Sequence, residues 1–140
     1  MTAADTPVSP RPLPALDIGN RAFWTGGERG ELLISRCAEC GFWSHPPVPR
    51  CPACTSPRVA PQPVSGGGVV YSFTINHHAW YPAMDTPYAV GIVELHEQTG
   101  LRLTTTLIGC APDDVVVGLP VRVSFQRLED VWLPFFTVDC

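Results

Sequence analysis

The chain has 140 residues, of which 45% are apolar and 16% are charged, which supports one packed domain with a small appendage and excludes disorder throughout. All nine basic residues are arginine, which excludes Schiff-base catalysis and a lysine-dependent phosphate loop. The formal net charge of −4 argues against nucleic-acid binding through phosphates. The sequence has no run of 18 apolar residues and no signal-peptide pattern, so we expect a cytoplasmic protein.

The first 30 residues are predicted to form a flexible arm followed by a short helix. Residues 1–15 contain four prolines and few apolar side chains, which favours a flexible arm, although such an arm also suits binding to a partner subunit. Residues 16–30 are predicted to be helical, with Phe23 and Trp24 as an apolar patch. Residues 31–36 then predict a strand that leads into the first cysteine pair.

Residues 31–63 carry two C-x-x-C pairs, which predict a rubredoxin-like zinc ribbon. The expected metal ligands are Cys37, Cys40, Cys51 and Cys54. Because four thiolates fill a tetrahedral shell, we expect a structural site rather than a catalytic one. Seven prolines in this segment remove backbone donors from any sheet, which indicates that the metal holds the segment together.

Several features around the ligands leave alternatives open. Iron has the same four-sulfur ligand set as zinc, and two redox dithiols are a further interpretation. Gly41 follows the first pair and permits the positive φ of a knuckle turn, whereas Thr55 follows the second pair. His45 lies between the pairs and is interpreted as a loop residue. The arginines expected to offset the negative site are Arg36, Arg50 and Arg58.

The pattern changes to period two after the ribbon and predicts an OB-like barrel at residues 64–140. The predicted strands are 69–76, 88–95, 101–108, 121–126 and 133–138. Five strands without a long helix between them favour a small antiparallel barrel, so the predicted fold class is mainly β. The glycine run at residues 66–68 is interpreted as a flexible hinge between ribbon and barrel.

Two sets of side chains in the barrel are candidates for binding. The loop after the first barrel strand carries His77, His78, Trp80 and Tyr81, which suit a ligand or partner contact, or an ordinary loop with half-buried aromatic rings. The candidates for contact with a phosphate-bearing ligand are Arg102, Arg122 and Arg127, although strand arginines are usually solvated. No residues at catalytic spacing are found, so none is assigned a catalytic role.

Two further cysteines remain outside the ribbon. In a reducing compartment, cysteines are expected to be metal ligands or thiols rather than disulfides. Cys110 follows an apolar strand and is predicted to be a small buried hydrophobe, and Cys140 is given no role.

The order of these parts resembles the DUF35 family, in which a rubredoxin-like zinc ribbon precedes an OB fold and the protein associates with acyl-CoA enzymes. The resemblance covers about residues 16–138. The matching stretches are residues 20–24 and 30–32, the two cysteine pairs, and residues 68–74, 87–95, 118–123 and 133–136. The departures are the proline-rich arm, Thr55 and a sequence that stops right after its last strand.

The resemblance implies an accessory role in a hetero-oligomer. Family members pair with thiolase-like enzymes, including aldolases and hydratases of steroid side-chain breakdown, and the partner supplies the catalytic residues. We therefore expect a subunit of a retro-aldolase that acts on a steroid or other lipid side chain, not catalytic alone but required by the acyl-CoA lyase complex. It would complete the acyl-CoA channel, stabilise the partner or bind the nucleotide end of CoA. The four loop residues would then be partner or channel contacts, and the three arginines would contact CoA phosphates.

Two other function classes compete with this interpretation. OB barrels often bind single-stranded nucleic acid, and an arginine-aromatic face would permit it despite the acidic balance. An independent enzyme would show turnover of an acyl-CoA by the isolated chain, which we do not expect.

Overall fold

The computed structural model describes residues 11–81 and 84–140, so most of the predicted arm lies outside the described residues. At the described end of that arm, Leu13 packs against a small apolar cluster on the last strand of the barrel, as does Leu16 just after the arm. That cluster is built from Val131, Leu133 and Phe135. This part of the segment therefore contacts the barrel.

Helix α1 spans Arg21–Thr25 and continues into a 3-10 turn at Gly26–Arg29, both within the segment predicted to be helical. The chain turns into α1 at Asp17, where the carboxylate Oδ1 accepts the backbone N–H groups of the residues two and three positions later, both at 2.8 Å. Phe23 is the buried side chain of α1, and its ring meets that of Trp24 edge to face at 4.7 Å. Burial of Phe23 and its packing against the half-buried Trp24 explain why such a short helix is stable.

The ribbon is a three-stranded antiparallel sheet with β1 in its centre. Its strands are β1 at Leu32–Cys37, β2 at Trp43–Ser44 and β3 at Val59–Val64. Pro61 and Pro63 lie on β3, which is an edge strand, and proline is tolerated there because an edge strand leaves half of its donors unpaired.

The five strands predicted for the barrel are confirmed. They are β4 at Gly67–Asn76, β5 at Tyr88–Leu95, β6 at Arg102–Ile108, β7 at Pro120–Leu128 and β8 at Val131–Val138, with a 3-10 turn at Pro112–Asp114. The strands pair in the ring order β4-β5-β6-β8-β7, and β7 pairs back to β4. The pairing of β6 with β8 is parallel, and the other pairings of the ring are antiparallel as predicted. No helix in the described part of the chain is long and apolar enough to cross a membrane.

The glycine run at residues 66–68 is a close-packing element, and its interpretation as a flexible hinge is wrong. All three glycines are buried, and β4 already begins at Gly67. A Cβ atom on Gly68 would collide with the carbonyl oxygen of Glu94 on β5, and one on Gly66 would collide with the side chain of Val123 on β7. Glycine is needed here because two neighbouring strands approach the backbone closely.

The larger of the two hydrophobic clusters contains side chains from both the ribbon and the barrel. Leu32 and Ile34 of β1 belong to the same buried cluster as Val93 and Phe136 of the barrel. The two parts also join through Gln98 in the turn between β5 and β6. The Trp43 N–H donates to Gln98 Oε1 at 3.0 Å, and Gln98 Nε2 donates to the Trp43 carbonyl at 2.8 Å. A side-chain amide thus takes the place of a neighbouring strand at the edge of β2.

Candidate metal centre and ligand cleft

The four cysteines predicted as ligands come together in one cluster. All four Sγ atoms lie within 4.8 Å of one another, with 3.6 Å between Cys37 and Cys54 and 3.5 Å between Cys40 and Cys51. A tetrahedral ion with metal–sulfur bonds of about 2.3 Å requires sulfur–sulfur distances of about 3.8 Å. The sulfur arrangement and the thiolate donor set therefore fit a closed four-coordinate site for zinc, and the same donor set also suits iron.

The two C-x-x-C segments form the same turn twice. In the first, the Gly41 N–H donates to the Cys37 carbonyl at 3.0 Å, and in the second the Thr55 N–H donates to the Cys51 carbonyl at 2.9 Å. Backbone N–H groups also reach the first sulfur of each pair, at 3.4 Å from Glu39 and 3.3 Å from Ala53. These donors stabilise negative charge on the sulfurs.

Each turn requires a left-handed backbone at the residue after its second cysteine. Gly41 has φ of +79° and Thr55 has φ of +64°. Glycine adopts this conformation without steric cost, whereas a β-branched residue is strained in it. The departure noticed at Thr55 in the sequence is therefore a position of backbone strain in the second knuckle.

An arginine clamps each knuckle at this left-handed residue. Arg36 Nε donates to the Gly41 carbonyl and Arg50 Nη1 donates to the Thr55 carbonyl, both at 3.0 Å. Each arginine directly precedes the first cysteine of its knuckle, so both bonds span five residues. Arg58 contributes through its backbone, since its carbonyl accepts the Ala38 N–H at 2.8 Å.

The thiols of the cluster influence one another's protonation. The backbone N–H of Cys40, supported by that of Glu39, lowers the pKa of Cys37 to about 6 against the opposing effect of burial. At Cys54 a backbone hydrogen bond from Ser56 also acts to lower the pKa. Neighbouring thiols and burial outweigh it and raise the pKa to about 12. Four thiolates held this close repel one another, and a bound cation removes that repulsion.

His45 lies outside the sulfur cluster, in the wall of an adjacent cleft. Its ring packs 4.8 Å from the ring of Phe23, and its Nδ1 atom is buried without a hydrogen-bond partner among the described residues. Burial lowers the pKa of His45 to about 4, so the imidazole is neutral at pH 7.

The cleft has a volume of about 1240 Å³ and is open to solvent. It lies between α1, the loop that follows β2, and strands β6 and β8 of the barrel. Its walls are rich in aromatic rings, which come from Phe23, Trp24, Trp80, Tyr81, Tyr88 and Phe135. A concave surface that is mainly apolar with a few polar groups is typical of ligand and substrate sites.

The loop between β4 and β5 brings two of its four predicted contact residues to this cleft. Trp80 and Tyr81 line it, and 68% of the Trp80 surface is exposed. His78 packs edge to face against Trp80 at 4.4 Å, and His77 is exposed and lies outside the cleft lining. Trp80 Nε1 also donates to Asn76 at 3.3 Å, so the exposed ring is oriented by its own loop.

The three predicted arginines do not form one site. Arg102 lines the cleft, stacks 3.7 Å above the ring of Tyr71 and forms an ion pair with Glu94 at 3.3 Å. Arg122 and Arg127 are exposed on β7, about 17 Å apart along the strand, and lie outside the cleft lining.

Comparison with known proteins identifies the family. Residues 24–60 match the family model for the rubredoxin-like zinc ribbon domain of ChsH2, and residues 61–126 match the model for its C-terminal OB-fold domain. A DUF35 domain-containing scaffold protein from Methanocaldococcus jannaschii is 33% identical over 105 residues, which are 74% of this chain and 73% of that protein. The chain belongs to the DUF35 family. The predicted resemblance and the predicted fold class are confirmed.

Other relatives of this DUF35 chain are subunits of larger enzymes. A probable enoyl-CoA hydratase alpha subunit from Thermomonospora curvata is 39% identical over 93% of this chain. The 3-oxo-4,17-pregnadiene-20-carboxyl-CoA hydratase alpha subunit from Mycobacterium tuberculosis is 37% identical over 77% of it. The chain spans only 40% and 34% of the lengths of these two proteins. Among solved structures, a chain of the Ltp2-ChsH2(DUF35) aldolase is 38% identical with a TM-score of 0.81, over 90% of this chain and 98% of that one.

Some features of the DUF35 chain had no signal in its sequence. Cys110 and Cys140 form a disulfide with their Cα atoms 6.1 Å apart, so the prediction of two separate thiols is wrong. They follow β6 and β8, whose parallel pairing the sequence pattern does not reveal. Arg11 also lines the cleft and stacks 5.6 Å above the ring of Phe135, although it belongs to the segment predicted to be a flexible arm.

Proposed function

We propose that this DUF35 chain is the accessory subunit of a thiolase-like acyl-CoA enzyme, a retro-aldolase of steroid or lipid side-chain degradation. The similarity to the chain of the Ltp2-ChsH2(DUF35) aldolase carries the proposal, because it extends over 98% of that chain. Two relatives named as alpha subunits of acyl-CoA hydratases support it, one of them with a pregnadiene carboxyl-CoA substrate in its name. The partner supplies the catalytic residues, and both subunits are cytoplasmic, where acyl-CoA metabolism takes place.

In this function the cleft completes the acyl-CoA channel of the complex. Its aromatic walls and volume of about 1240 Å³ suit a large apolar acyl group better than a phosphate-rich nucleotide. Trp80 and Tyr81 line it and would contact the partner or the acyl chain, and the His78 ring packs against Trp80. Of the three arginines, we propose Arg102 as the contact for a CoA phosphate, because it lines the cleft and the other two do not.

The ion of the ribbon is Zn²⁺, held by the four cysteine thiolates. When bound, it neutralises the thiolates and cross-links the two knuckles. The four sulfurs leave no position for a substrate, so the site stabilises the surface presented to the partner and takes no part in the reaction.

Co-expression with a thiolase-like aldolase from the same host tests the proposal. We expect the two chains to co-purify, and we expect the partner to cleave a steroid acyl-CoA only in the presence of this chain. The alternative nucleic-acid function predicts instead salt-dependent binding of single-stranded DNA. An aldolase that neither binds this chain nor changes its rate when the chain is added would contradict the proposal.

Substitution at the cleft tests the role of the aromatic loop in that complex. We expect Trp80→Ala and Tyr81→Ala to weaken assembly or raise the KM for acyl-CoA about tenfold, in line with the loss of a buried aromatic contact. Val117→Ala is a matched control, because Val117 is 63% exposed and lies outside the cleft lining. If all three variants assemble and turn over like the native chain, the cleft is not the channel wall.

A further inference from the structure

The barrel is closed very unevenly around its ring. Strands β7 and β8 pair without interruption from Val121 with Val138 to Leu128 with Val131. Strands β6 and β8 pair only at Leu107 with Phe136 and at Ile108 with Thr137. Within the barrel ring, the β6–β8 seam therefore has the shortest ladder of paired residues, two pairs against three between β4 and β7.

Two side-chain connections reinforce this seam. Thr105 Oγ1 on β6 donates to the Pro134 carbonyl on β8 at 2.9 Å, and the threonine is buried. Beyond the paired residues, Cys110 stands two positions after the end of β6 and Cys140 two positions after the end of β8. Because β6 and β8 are parallel, the segments that follow the two strands leave the seam in the same direction. Their Cα separation of 6.1 Å lies within the range that a disulfide spans.

Cys110 and Cys140 also differ from the four metal-site cysteines in the reactions open to them. Cys140 is exposed and Cys110 is half-buried, so this end of the seam faces solvent. Exposure alone does not separate the two sets, because Cys40 and Cys54 of the ribbon are exposed while Cys37 and Cys51 are buried; the difference is that all four belong to a sulfur cluster that suits a metal ion. Metal-bound thiolates are occupied as ligands, whereas Cys110 and Cys140 are available for thiol–disulfide exchange.

We propose that Cys110 and Cys140 form a reversible redox clasp that closes the barrel at the β6–β8 seam. The oxidant is a low-molecular-weight disulfide such as oxidised glutathione. The thiolate of one cysteine attacks the S–S bond of this disulfide, forms a mixed disulfide and releases one thiol. The second protein thiolate then attacks the protein sulfur, forms the Cys110–Cys140 bond and releases a second thiol. The two protons of the protein thiols end on the two released thiols, so one disulfide is reduced as another forms.

The clasp is expected to stabilise the barrel against unfolding. It links residues 30 positions apart, and a loop of that length restricts the unfolded chain considerably. We expect the oxidised form to melt about 10 °C above the reduced form. This proposal does not depend on the proposed function, because it concerns a bond within the chain.

The experiment uses the full zinc-loaded chain, equilibrated in glutathione buffers from fully reduced to fully oxidised and then alkylated. Trypsin cleaves after arginine, so it separates Cys110 in the 103–122 peptide from Cys140 in the 128–140 peptide. The metal cysteines fall in other peptides, 37–50 and 51–58. We expect one cross-linked product, 103–122 with 128–140, which appears as the oxidised glutathione fraction rises and disappears when the protein is returned to excess reduced glutathione.

Two variants act as controls for this measurement. Cys140→Ser and Cys110→Ser each remove the cross-linked peptide, and we expect their melting temperatures not to differ between oxidised and reduced buffers. Zinc content should stay the same in both variants. The proposal is overturned if Cys110 and Cys140 are alkylated in full under oxidising buffer, if they end as mixed disulfides only, or if the native chain melts at one temperature in all buffers.

Discussion

The ribbon and the barrel differ in what holds them together. Within residues 37–58, all of which the structure describes, only Trp43 belongs to the hydrophobic core. The order of this segment comes from two knuckle turns, their arginine clamps and the sulfur cluster. The barrel instead buries side chains from its five strands, with Val93 and Phe136 fully buried. A short proline-rich segment cannot bury enough apolar surface to order itself, so a metal takes the place of a core.

Loss of one metal ligand should have the largest effect on structure, and this effect should be confined to the ribbon. In Cys40→Ser we expect zinc content to fall from about one ion per chain to near zero, because the closed four-sulfur shell is lost. Trypsin should then cleave readily after Arg50 and Arg58, which border the second knuckle. Elemental analysis and limited digestion measure both effects. Cys140→Ser is the control, and full zinc content in Cys40→Ser would argue against a four-sulfur site.

A cavity in the barrel core should instead destabilise the barrel and leave zinc binding by the ribbon intact. Phe136→Ala is expected to lower the free energy of unfolding by about 3–5 kcal/mol, because the side chain is 0% exposed in the native state. The folded variant should still bind zinc in full. Urea unfolding and zinc analysis measure the two quantities. Thr137→Ala, at the exposed neighbouring position, should change stability by less than about 0.5 kcal/mol. Zinc loss in folded Phe136→Ala would mean that the metal site depends on the packing of the barrel core.

Loss of the hydrogen bonds between Gln98 of the barrel and Trp43 of the ribbon should have an intermediate effect on stability. Gln98→Ala leaves the buried Trp43 backbone without either of its hydrogen bonds to this side chain, which costs about 1–3 kcal/mol. Thr99→Ala changes the adjacent exposed residue and serves as the control. Thermal unfolding measures the difference. If Gln98→Ala unfolds like the native chain, apolar packing holds the ribbon on the barrel without help from these two hydrogen bonds.

The smallest expected effect comes from the difference between the two knuckle turns at Gly41 and Thr55. Thr55→Gly should relieve the strained backbone and tighten zinc binding by about 1 kcal/mol, or about fivefold, whereas Gly41→Thr should weaken it to a similar extent. A Cβ on Gly41 would meet Arg36 at 3.6 Å, an ordinary contact, so Gly41→Thr introduces chiefly backbone strain. Competition with a chromophoric chelator measures the affinities. Equal affinities of both variants and the native chain would show that the φ angle has no bearing on metal binding.

Features encoded by local spacing were predictable, and features that join distant segments were not. The cysteine pairs and the alternation along β4 carry a pattern that one stretch of sequence shows. The bond of Gln98 to Trp43 spans 55 residues, and the cleft brings the 11–24 segment to strands β6 and β8. Nothing local distinguishes a glycine in a hinge from Gly68, which is fixed by the approach of another strand. These contacts depend on strand order, which composition and periodicity do not specify.

Hydrogen exchange with and without a metal chelator, resolved by segment, tests the difference between ribbon and barrel most directly. On chelation we expect protection to be lost across residues 37–58, to weaken at Leu32 and Ile34, which keep their core contacts, and to persist in β5 and β8 of the barrel. Equal loss of protection in ribbon and barrel, or unchanged protection of residues 37–58 in metal-free protein, would contradict the account.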